Sequence, residues 1–130
     1  MNQEIPYQTD QIKPANSQVE IIELTAVPYG DHRRVKINFR LSLFQDPPNA
    51  AISLFGVEGE ELASVNVVNI FQPENEVTLH IPKSRAMKGE YRVKLTLFEL
   101  EERKAREDEA GEVRLMTNTL SSRDITFTLA

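Results

Sequence analysis

Val35 to Leu43, with the sequence VKINFRLSL, alternates apolar and polar side chains without interruption. Successive side chains of a β-strand point to opposite faces of the sheet, so a strand here would bury its apolar residues and expose its polar ones. In a helix, residues two positions apart lie on opposite sides, which would scatter the apolar side chains. The segment therefore predicts a β-strand with one face in a core.

The same alternation recurs at residues 77–81 (VTLHI), 91–97 (YRVKLTL) and 125–129 (ITFTL). It is typical of antiparallel sheets with one buried and one solvated face, and we expect the odd-numbered side chains of 35–43 and 91–97 to meet inside. Turn residues separate the runs, and the Pro47-Pro48 pair must lie outside any central strand because proline cannot donate a ladder hydrogen bond. The pattern predicts an all-β, antiparallel two-sheet sandwich of about seven strands, at residues 19–27, 33–44, 51–57, 62–70, 76–81, 89–98 and 113–129, the last interrupted.

Residues 82–95, PKSRAMKGEYRVKL, resemble the E–F corner of immunoglobulin-like and fibronectin type III-like domains. In those folds a tyrosine near the start of strand F hydrogen-bonds back to the corner backbone, and Tyr91 occupies the matching position. The resemblance implies an immunoglobulin-like sandwich. The chain departs from antibody-type domains because Val93 stands where the second cysteine would be. It has no tryptophan either, so that Ile52 or Leu54 must replace the usual anchor of strand C.

The chain has 130 residues, with 15 basic and 20 acidic side chains and a net charge of −5. This length predicts one domain. Residues 1–18 are polar and irregular and are expected to form a flexible N-terminal arm, followed by a single immunoglobulin-like sandwich domain at residues 19–130. Alternatively, Ile5, Tyr7 and Ile12 pack along a sheet edge or onto a partner.

No residues form a recognisable catalytic or metal-binding pattern. The chain lacks cysteine, and its two histidines, His32 and His80, are isolated from each other in the sequence. It has neither a nucleophile elbow nor a glycine-rich phosphate loop. Calcium ligands could come from Asp46 with Asn49 or from the Glu58–Glu61 stretch, but their spacing is not that of a calcium loop, and a solvated hairpin tip is the simpler interpretation. The sequence predicts a protein that is not an enzyme and has no cofactor and no metal.

Two further classes of function are also disfavoured by composition. No apolar run approaches the ~18 residues of a membrane span, and the first residues lack the features of a signal peptide, so a cytoplasmic location is expected. The acidic balance argues against nucleic acid as a partner. The solvent-facing bases of the second strand (Arg34, Lys36, Arg40) and of the sixth (Arg92, Lys94) should lie in different sheets and form no common patch.

The most unusual stretch is 99–112, ELEERKAREDEAGE, in which seven acids and three bases give a net charge of −4. The spacing of Glu99 to Arg103 and of Glu102 to Arg106 supports a helical turn. The composition also suits a long hairpin arm that projects from the sandwich. The segment is either a solvated connection or an acidic surface for a basic partner, and the candidate interaction residues are Glu101, Glu102, Glu107, Asp108 and Glu109.

The alternation breaks after Leu97, where the apolar positions switch to Phe98 and Leu100. A β-bulge would turn these side chains inward, and the pattern favours that interpretation. Without a bulge they would lie outside, near Met116 and Leu120, in an apolar patch of the kind that marks an interface. Phe98, Leu100 and Met116 are therefore candidates for self-association, for example as a homodimer.

These observations together predict a non-catalytic protein-interaction or structural module, whose partner is an unknown protein or a second copy of the chain. The alternative is a sandwich that binds a small ligand or a carbohydrate. Sugar sites usually present aromatic platforms, and three tyrosines with no tryptophan weaken that alternative.

Overall fold

The structure is a computed structural model that describes residues 19–104 and 113–130. Within strands, the side chains of residues 101–104 and 113–117 are also left undescribed. The predicted arm at 1–18 and three of the candidate interaction residues, Glu107, Asp108 and Glu109, lie outside the described residues.

Seven strands and one 3₁₀ turn, Lys83–Arg85, make up the regular structure of the described ranges. The strands follow the predicted order, with ends that differ by a few residues except in the sixth, which is six residues longer than the predicted 89–98. Their bounds are β1 Ile21–Pro28, β2 Arg34–Leu41, β3 Asn49–Phe55, β4 Glu61–Val67, β5 Glu74–His80, β6 Gly89–Lys104 and β7 Val113–Leu129.

The strands form two antiparallel sheets. One sheet has three strands in the order β1-β2-β5, and the other has four in the order β4-β3-β6-β7. The predicted all-β, antiparallel two-sheet architecture with seven strands is confirmed. The strands β2 and β6 lie in different sheets, as expected, and each is central in its own sheet.

The core lies between the sheets and is built mainly from the alternating side chains of β2 and β6. The odd-numbered residues from Val35 to Leu41 and from Tyr91 to Leu97 are all buried. Ile52 and Leu54 of β3 are fully buried opposite them, so both proposed replacements for the strand C anchor are in the core. Burial of each such side chain contributes about 1.5–3 kcal/mol of hydrophobic free energy.

The prediction for Leu43 is wrong, because this side chain is 52% exposed and Phe44 is buried instead. The strand β2 ends at Leu41, whose N–H donates to the carbonyl of Pro73 at 2.9 Å, while the Ser42 N–H donates to the carbonyl of Glu20 at 2.9 Å. Beyond this point the chain leaves the ladder. Alternation therefore no longer decides which side chain points inward.

The register of β6 and β7 shifts after Leu97, as the switch in alternation predicts. Leu97 pairs with Ser121 and Phe98 with Thr119, which leaves Leu120 as the extra residue on β7. The bulge thus lies on β7, and the expectation that it turns the later β6 side chains inward is wrong for Leu100, which is 48% exposed, while Phe98 is half-buried. The predicted interruption of the last strand is this bulge within a continuous β7.

Past the bulge, β6 and β7 form a two-stranded arm. Their pairing continues from Phe98 opposite Thr119 to Lys104 opposite Val113. Residues 99–104 are therefore strand, and the helical turn considered for Glu99 and Arg103 is wrong. We call the paired residues 99–104 and 113–118 the β6–β7 arm.

Candidate functional site

One end of the sandwich carries a cleft beside the β6–β7 arm. At this end β2 stops at Leu41, β3 begins at Asn49, β4 stops at Val67, β5 begins at Glu74, and β6 runs on past Phe98. Between the connections lies a surface cleft of about 530 Å³, which we call the end cleft. It is lined by Asp46, Pro47, Asn49, Val68, Asn69, Glu99 and Leu100.

Asn49 holds the floor of the end cleft in place. It is 6% exposed and is the one buried polar side chain among the residues whose side chains are described. Its Oδ1 accepts a hydrogen bond from the Asn69 N–H at 2.9 Å, and its Nδ2 donates to the carbonyl of Phe98 at 3.4 Å. A buried amide without partners would cost about 1–3 kcal/mol, so these contacts stabilise the position where β3, β6 and the β4–β5 connection meet.

The β4–β5 connection is held against the start of β3 by a second set of contacts. Ile70 is buried, and its N–H donates to the carbonyl of Pro48 at 2.9 Å. Asn69 has a positive φ of 53°, a conformation that asparagine adopts more readily than most residues. The wall that carries Val68 is therefore fixed by hydrogen bonds from the N–H groups of Asn69 and Ile70.

Apolar side chains are exposed in and around the end cleft. Val68 is 58% exposed and Leu100 is 48% exposed, and both line it. Phe71, at 77% the most exposed large apolar residue in the described ranges, and Leu43 lie on connections at the same end. Exposed apolar groups gathered beside polar ones are a common mark of protein interaction surfaces.

The structure brings some of the predicted site residues together and separates others. Leu100 lines the end cleft, and the carbonyl of Phe98 accepts a hydrogen bond from Asn49, which also lines it. Met116 pairs with Glu101, whereas Leu100 pairs with Thr117, so Met116 is not the direct neighbour of Leu100 in the ladder. Glu102 pairs with Leu115. The backbones of Glu101 and Glu102 thus belong to the paired part of the β6–β7 arm.

Sequence reasoning missed the contribution of Asn49, Val68 and Asn69 to this site. A signal for Val68 was present, because it breaks the alternation of Val65 and Val67 as Leu100 breaks that of β6. Asn49 follows the Pro47-Pro48 pair and was considered only as a turn residue or a calcium ligand. Its role depends on Phe98 and Asn69, which are distant in sequence.

At the opposite end of the sandwich, Tyr91 closes the corner between β5 and β6. Its hydroxyl lies 2.6 Å from the carbonyl oxygen of Met87 and 3.1 Å from that of Arg85, as the corner motif predicts. Its ring stacks on Phe127 with centroids 5.3 Å apart. Burial raises the pKa of the Tyr91 phenol. These contacts are those of a structural side chain.

The tip of the β3–β4 hairpin is tied to the same corner by Arg85. The guanidinium lies 2.7 Å from a carboxylate oxygen of Glu60 and 3.9 Å from one of Glu58. The backbone N–H of Glu60 and, to a lesser extent, Arg85 hold the pKa of the Glu60 carboxyl below its ordinary value. The two groups of possible calcium ligands lie beyond opposite ends of β3, and no group of three metal-ligating residues occurs among the described residues.

Among the described contacts, none joins a histidine side chain to an acid or base with which it could form a proton relay. His32 lies in the β1–β2 turn with a positive φ of 57°, and His80 is solvent-exposed. The carboxylate of Asp31 accepts hydrogen bonds from the Arg33 N–H and from Arg34 Nε, each at 2.9 Å. The Arg33 N–H and then Arg34 lower the pKa of this carboxyl.

Several bases on the sheet faces pair with acids. Arg40 of β2 lies 3.7 Å from Glu23 on β1. Arg92 of β6 lies 2.9 Å from Asp124 and packs over the ring of Phe55. The charges of these two arginines are therefore compensated locally.

In the described ranges no helix has the length and apolar character needed to cross a membrane. Searches against protein-family models and against curated protein sequences find no match to this chain.

Proposed function

We propose that the chain is a non-catalytic protein-interaction module that binds a protein partner at the end cleft and the adjoining β6–β7 arm. The observation that carries this proposal is the exposure of Val68 and Leu100 in a cleft whose floor and wall are fixed by Asn49 and Ile70. Exposing apolar side chains costs free energy in the unbound molecule, and a partner that covers them recovers it.

The hydrogen bonds that fix the floor and wall of the cleft favour binding, because they leave the surface preformed. A preformed surface loses less conformational entropy when it binds than a surface that must first become ordered. The cleft residues offer carboxylates, amides and aliphatic groups, and none of them is a histidine, a serine or a lysine. Such a set suits recognition, since among the lining residues the two carboxylates have no histidine, serine or lysine with which to form a nucleophile–base pair.

We also infer that the sandwich is of the immunoglobulin-like or fibronectin type III-like kind. Two observations support the inference: the hydrogen bonds of Tyr91 to the corner backbone, and the grouping of strands one, two and five against three, six and seven. In the constant-type immunoglobulin arrangement the fourth strand joins the first sheet, whereas β4 here pairs with β3. In this fold the loops gather at the two ends of the sandwich, as the end cleft requires.

A small-molecule site is the second candidate, and the volume of the cleft favours it. Ligand pockets commonly measure about 300–1,000 Å³, a range that includes the end cleft. Its lining, however, holds no aromatic side chain, whereas carbohydrate and drug-like ligands usually contact such rings. Protein interaction therefore agrees better with the composition of the cleft.

Site-specific photo-crosslinking in the source cells tests the proposal. A photoreactive phenylalanine analogue replaces Leu100 in one variant and Val27 in the control variant. Val27 is 51% exposed and lies near the end of β1 that is farther from the end cleft. We expect a defined crosslinked protein from position 100 and none from position 27, with equal melting temperatures for the two variants. The same crosslinked proteins from both positions, or none from position 100, would contradict the proposal.

The mass of the crosslinked species identifies the partner class. A species of twice the chain mass shows self-association through this end, and a heavier or lighter species shows a different protein. A thermal-shift screen with sugars and metabolites addresses the second candidate, which predicts a stabilised wild-type protein and a smaller shift for Val68→Lys.

A further inference from the structure

The strand β6 extends beyond the neighbour that covers its first half. Its pairing with β3 runs from Arg92 opposite Phe55 to Phe98 opposite Asn49 and stops there. Residues 99–104 continue as strand and pair only with β7 among the described residues. On the β3 side, β6 therefore extends past the last residue pair of its ladder with β3, and the sheet has a step at Phe98.

Local chemistry explains why β3 cannot continue along this edge. The two residues before Asn49 are Pro47 and Pro48, which have no N–H to donate to a ladder. The carbonyl of Pro48 already accepts a hydrogen bond from the Ile70 N–H. The residues before Asn49 therefore do not continue the ladder, and no β3 residue lies opposite β6 beyond Phe98.

The direction of the Phe98 carbonyl shows which backbone groups line this edge. Its oxygen accepts from the Asn49 side chain and so faces the β3 side. In an antiparallel ladder, alternate residues present their N–H and C=O groups to the same side. Leu100, Glu102 and Lys104 therefore present theirs to the side where β3 has ended, over a strand length of about 20 Å for six residues.

The β3-side edge of β6 at Leu100–Lys104, along which no described residue pairs, adjoins the end cleft, and we call it the free edge. Leu100 belongs to both, and the exposed Val68 also lines the cleft. A strand edge supplies main-chain hydrogen bonds to an added peptide, and pockets beside it hold alternate side chains of that peptide. Both parts of such a binding site are present here.

Charge selects among the chains that could pair with this edge. The stretch 99–112 carries a net charge of −4, and Asp46 adds a carboxylate to the cleft. A second copy of the same arm would bring like charges together, which opposes edge-to-edge pairing. A basic segment would be attracted instead.

We propose that an extended, basic peptide segment of a partner protein adds as a strand to the edge of β6 at Leu100–Lys104 and places an apolar side chain in the end cleft between Val68 and Leu100. This inference rests on the proposed interaction function and names the chemistry of the partner. The binding mode is β-strand addition next to the arm, in the place that β3 leaves empty.

A designed peptide tests the binding mode on the intact protein. The probe is a fluorescent heptapeptide of sequence KVKLKVK, and binding is followed by fluorescence anisotropy. Two matched probes are the same peptide N-methylated at alternate residues, which blocks strand pairing, and EVELEVE, which reverses the charge. We expect the first probe to bind at least tenfold more tightly than either control, and the chemical shifts of the Leu100, Glu102 and Lys104 amides to change on binding.

Protein variants separate the edge from the apolar contact. Leu100→Pro removes the N–H that faces the edge, and Leu100→Ala retains it while shortening the side chain, so we expect the larger loss of affinity for proline. Equal binding of the N-methylated peptide, no binding of KVKLKVK, or shift changes confined to other strands would overturn the proposal. A protein captured by crosslinking at position 100 together with no peptide binding would leave the interaction function standing and refute strand addition.

Discussion

Tyr91 connects three parts of the molecule through one side chain. Its ring is fully buried and stacks on Phe127 of β7, while its hydroxyl reaches the carbonyls of Arg85 and Met87 in the corner before β6. A buried hydroxyl with good acceptors avoids the cost of desolvation. The side chain thereby holds the connection between β5 and β6 in its observed conformation.

Replacing Tyr91 by phenylalanine should lower the free energy of unfolding by about 0.5–1.5 kcal/mol, because the ring is kept while the hydrogen bonds to the two carbonyls are lost. Urea denaturation followed by circular dichroism measures the change. Tyr29→Phe is the control, since the Tyr29 ring lies in the β1–β2 turn against Arg34. Equal stability of the Tyr91→Phe variant and the wild type would show that the corner does not depend on these hydrogen bonds.

The Glu60 carboxyl provides a test of the contact between the hairpin tip and the corner. Its pKa is lowered from the ordinary value of 4.5 by its own backbone N–H and then by Arg85. A carboxyl with a lowered pKa in the folded state stabilises that state above its unfolded pKa, and the contribution is lost as the pH falls from about 4.5 through the folded value. Lowering the pH below about 4.5 should therefore begin to weaken the contact between Glu60 and Arg85.

We expect Arg85→Ala to raise the pKa of Glu60 toward its ordinary value without fully restoring it, because the backbone N–H remains. Carboxyl carbon shifts in a nuclear magnetic resonance titration report the change. Asp31 is the internal control, since its pKa is lowered by Arg33 and Arg34 in a different turn. A Glu60 titration midpoint that does not respond to the substitution would contradict the assigned cause.

Among the elements, β6 organises the larger sheet and extends beyond it. It pairs with β3 over its first part and with β7 over its whole length. The extra residue Leu120 on β7 shifts the register at the point where β3 ends. Bulges commonly mark the places where a strand changes its neighbours or its direction, and here the bulge marks where the sandwich ends and the β6–β7 arm begins.

The first residue of β6 must be glycine. Gly89 has a φ of +137°, and a Cβ built there would lie 3.0 Å from Cγ2 of Val57. Gly89→Ala should lower the free energy of unfolding by about 1–3 kcal/mol, because both the backbone conformation and the contact become unfavourable. Thermal and chemical denaturation measure the effect.

Two further variants identify its cause. Gly30→Ala is the matched control, because a Cβ there has no atom within 4 Å and little change is expected. Adding Val57→Ala to Gly89→Ala removes the close contact but not the backbone strain, so a penalty from the backbone should remain. A Gly89→Ala variant as stable as wild type would contradict both causes.

For the whole molecule, the sandwich core and the acidic connection should be separable. The buried side chains of the two sheets lie within the described strands, and residues 105–112 join the paired ends Lys104 and Val113. One base and four acids in that connection give it a net charge of 1 − 4 = −3. It therefore carries −3 of the chain's net charge of −5.

Replacing residues 105–112 by Asn-Gly, a sequence suited to two-residue hairpins, should leave the melting temperature nearly unchanged. The affinity for the basic peptide should fall, and the fall should be larger at low salt, where charge attraction is less screened. Calorimetry and anisotropy at two salt concentrations measure the two quantities. A large drop in melting temperature would instead show that the connection supports the fold.

Strand identity and the buried face of β2 and β6 could be predicted because alternation is a local property of the chain. The odd-numbered residues from Val35 to Leu41 are buried whichever strands lie beside them. The error at Leu43 arose because the end of β2 depends on the carbonyls of Glu20 and Pro73, which are distant in sequence. Pattern alone gives no position for those partners.

The candidate site was predictable only in part. A break in alternation identified Leu100 as unusual, and the charge of 99–112 identified the arm. Whether Leu100 is exposed depends on which strand carries the extra residue, and that is decided by the pairing of β6 with β7. Asn49 gained its role only when folding brought Asn69 and Phe98 next to it.

The sequence by itself determined which segments form strands, which faces they bury and where the charge is concentrated, since these follow from neighbouring residues along the chain. Only the tertiary structure decided the step between β3 and β6, the side of the bulge and the shape of the end cleft. The physical reason is that register and edges are properties of paired strands, whose hydrogen bonds join residues far apart in sequence.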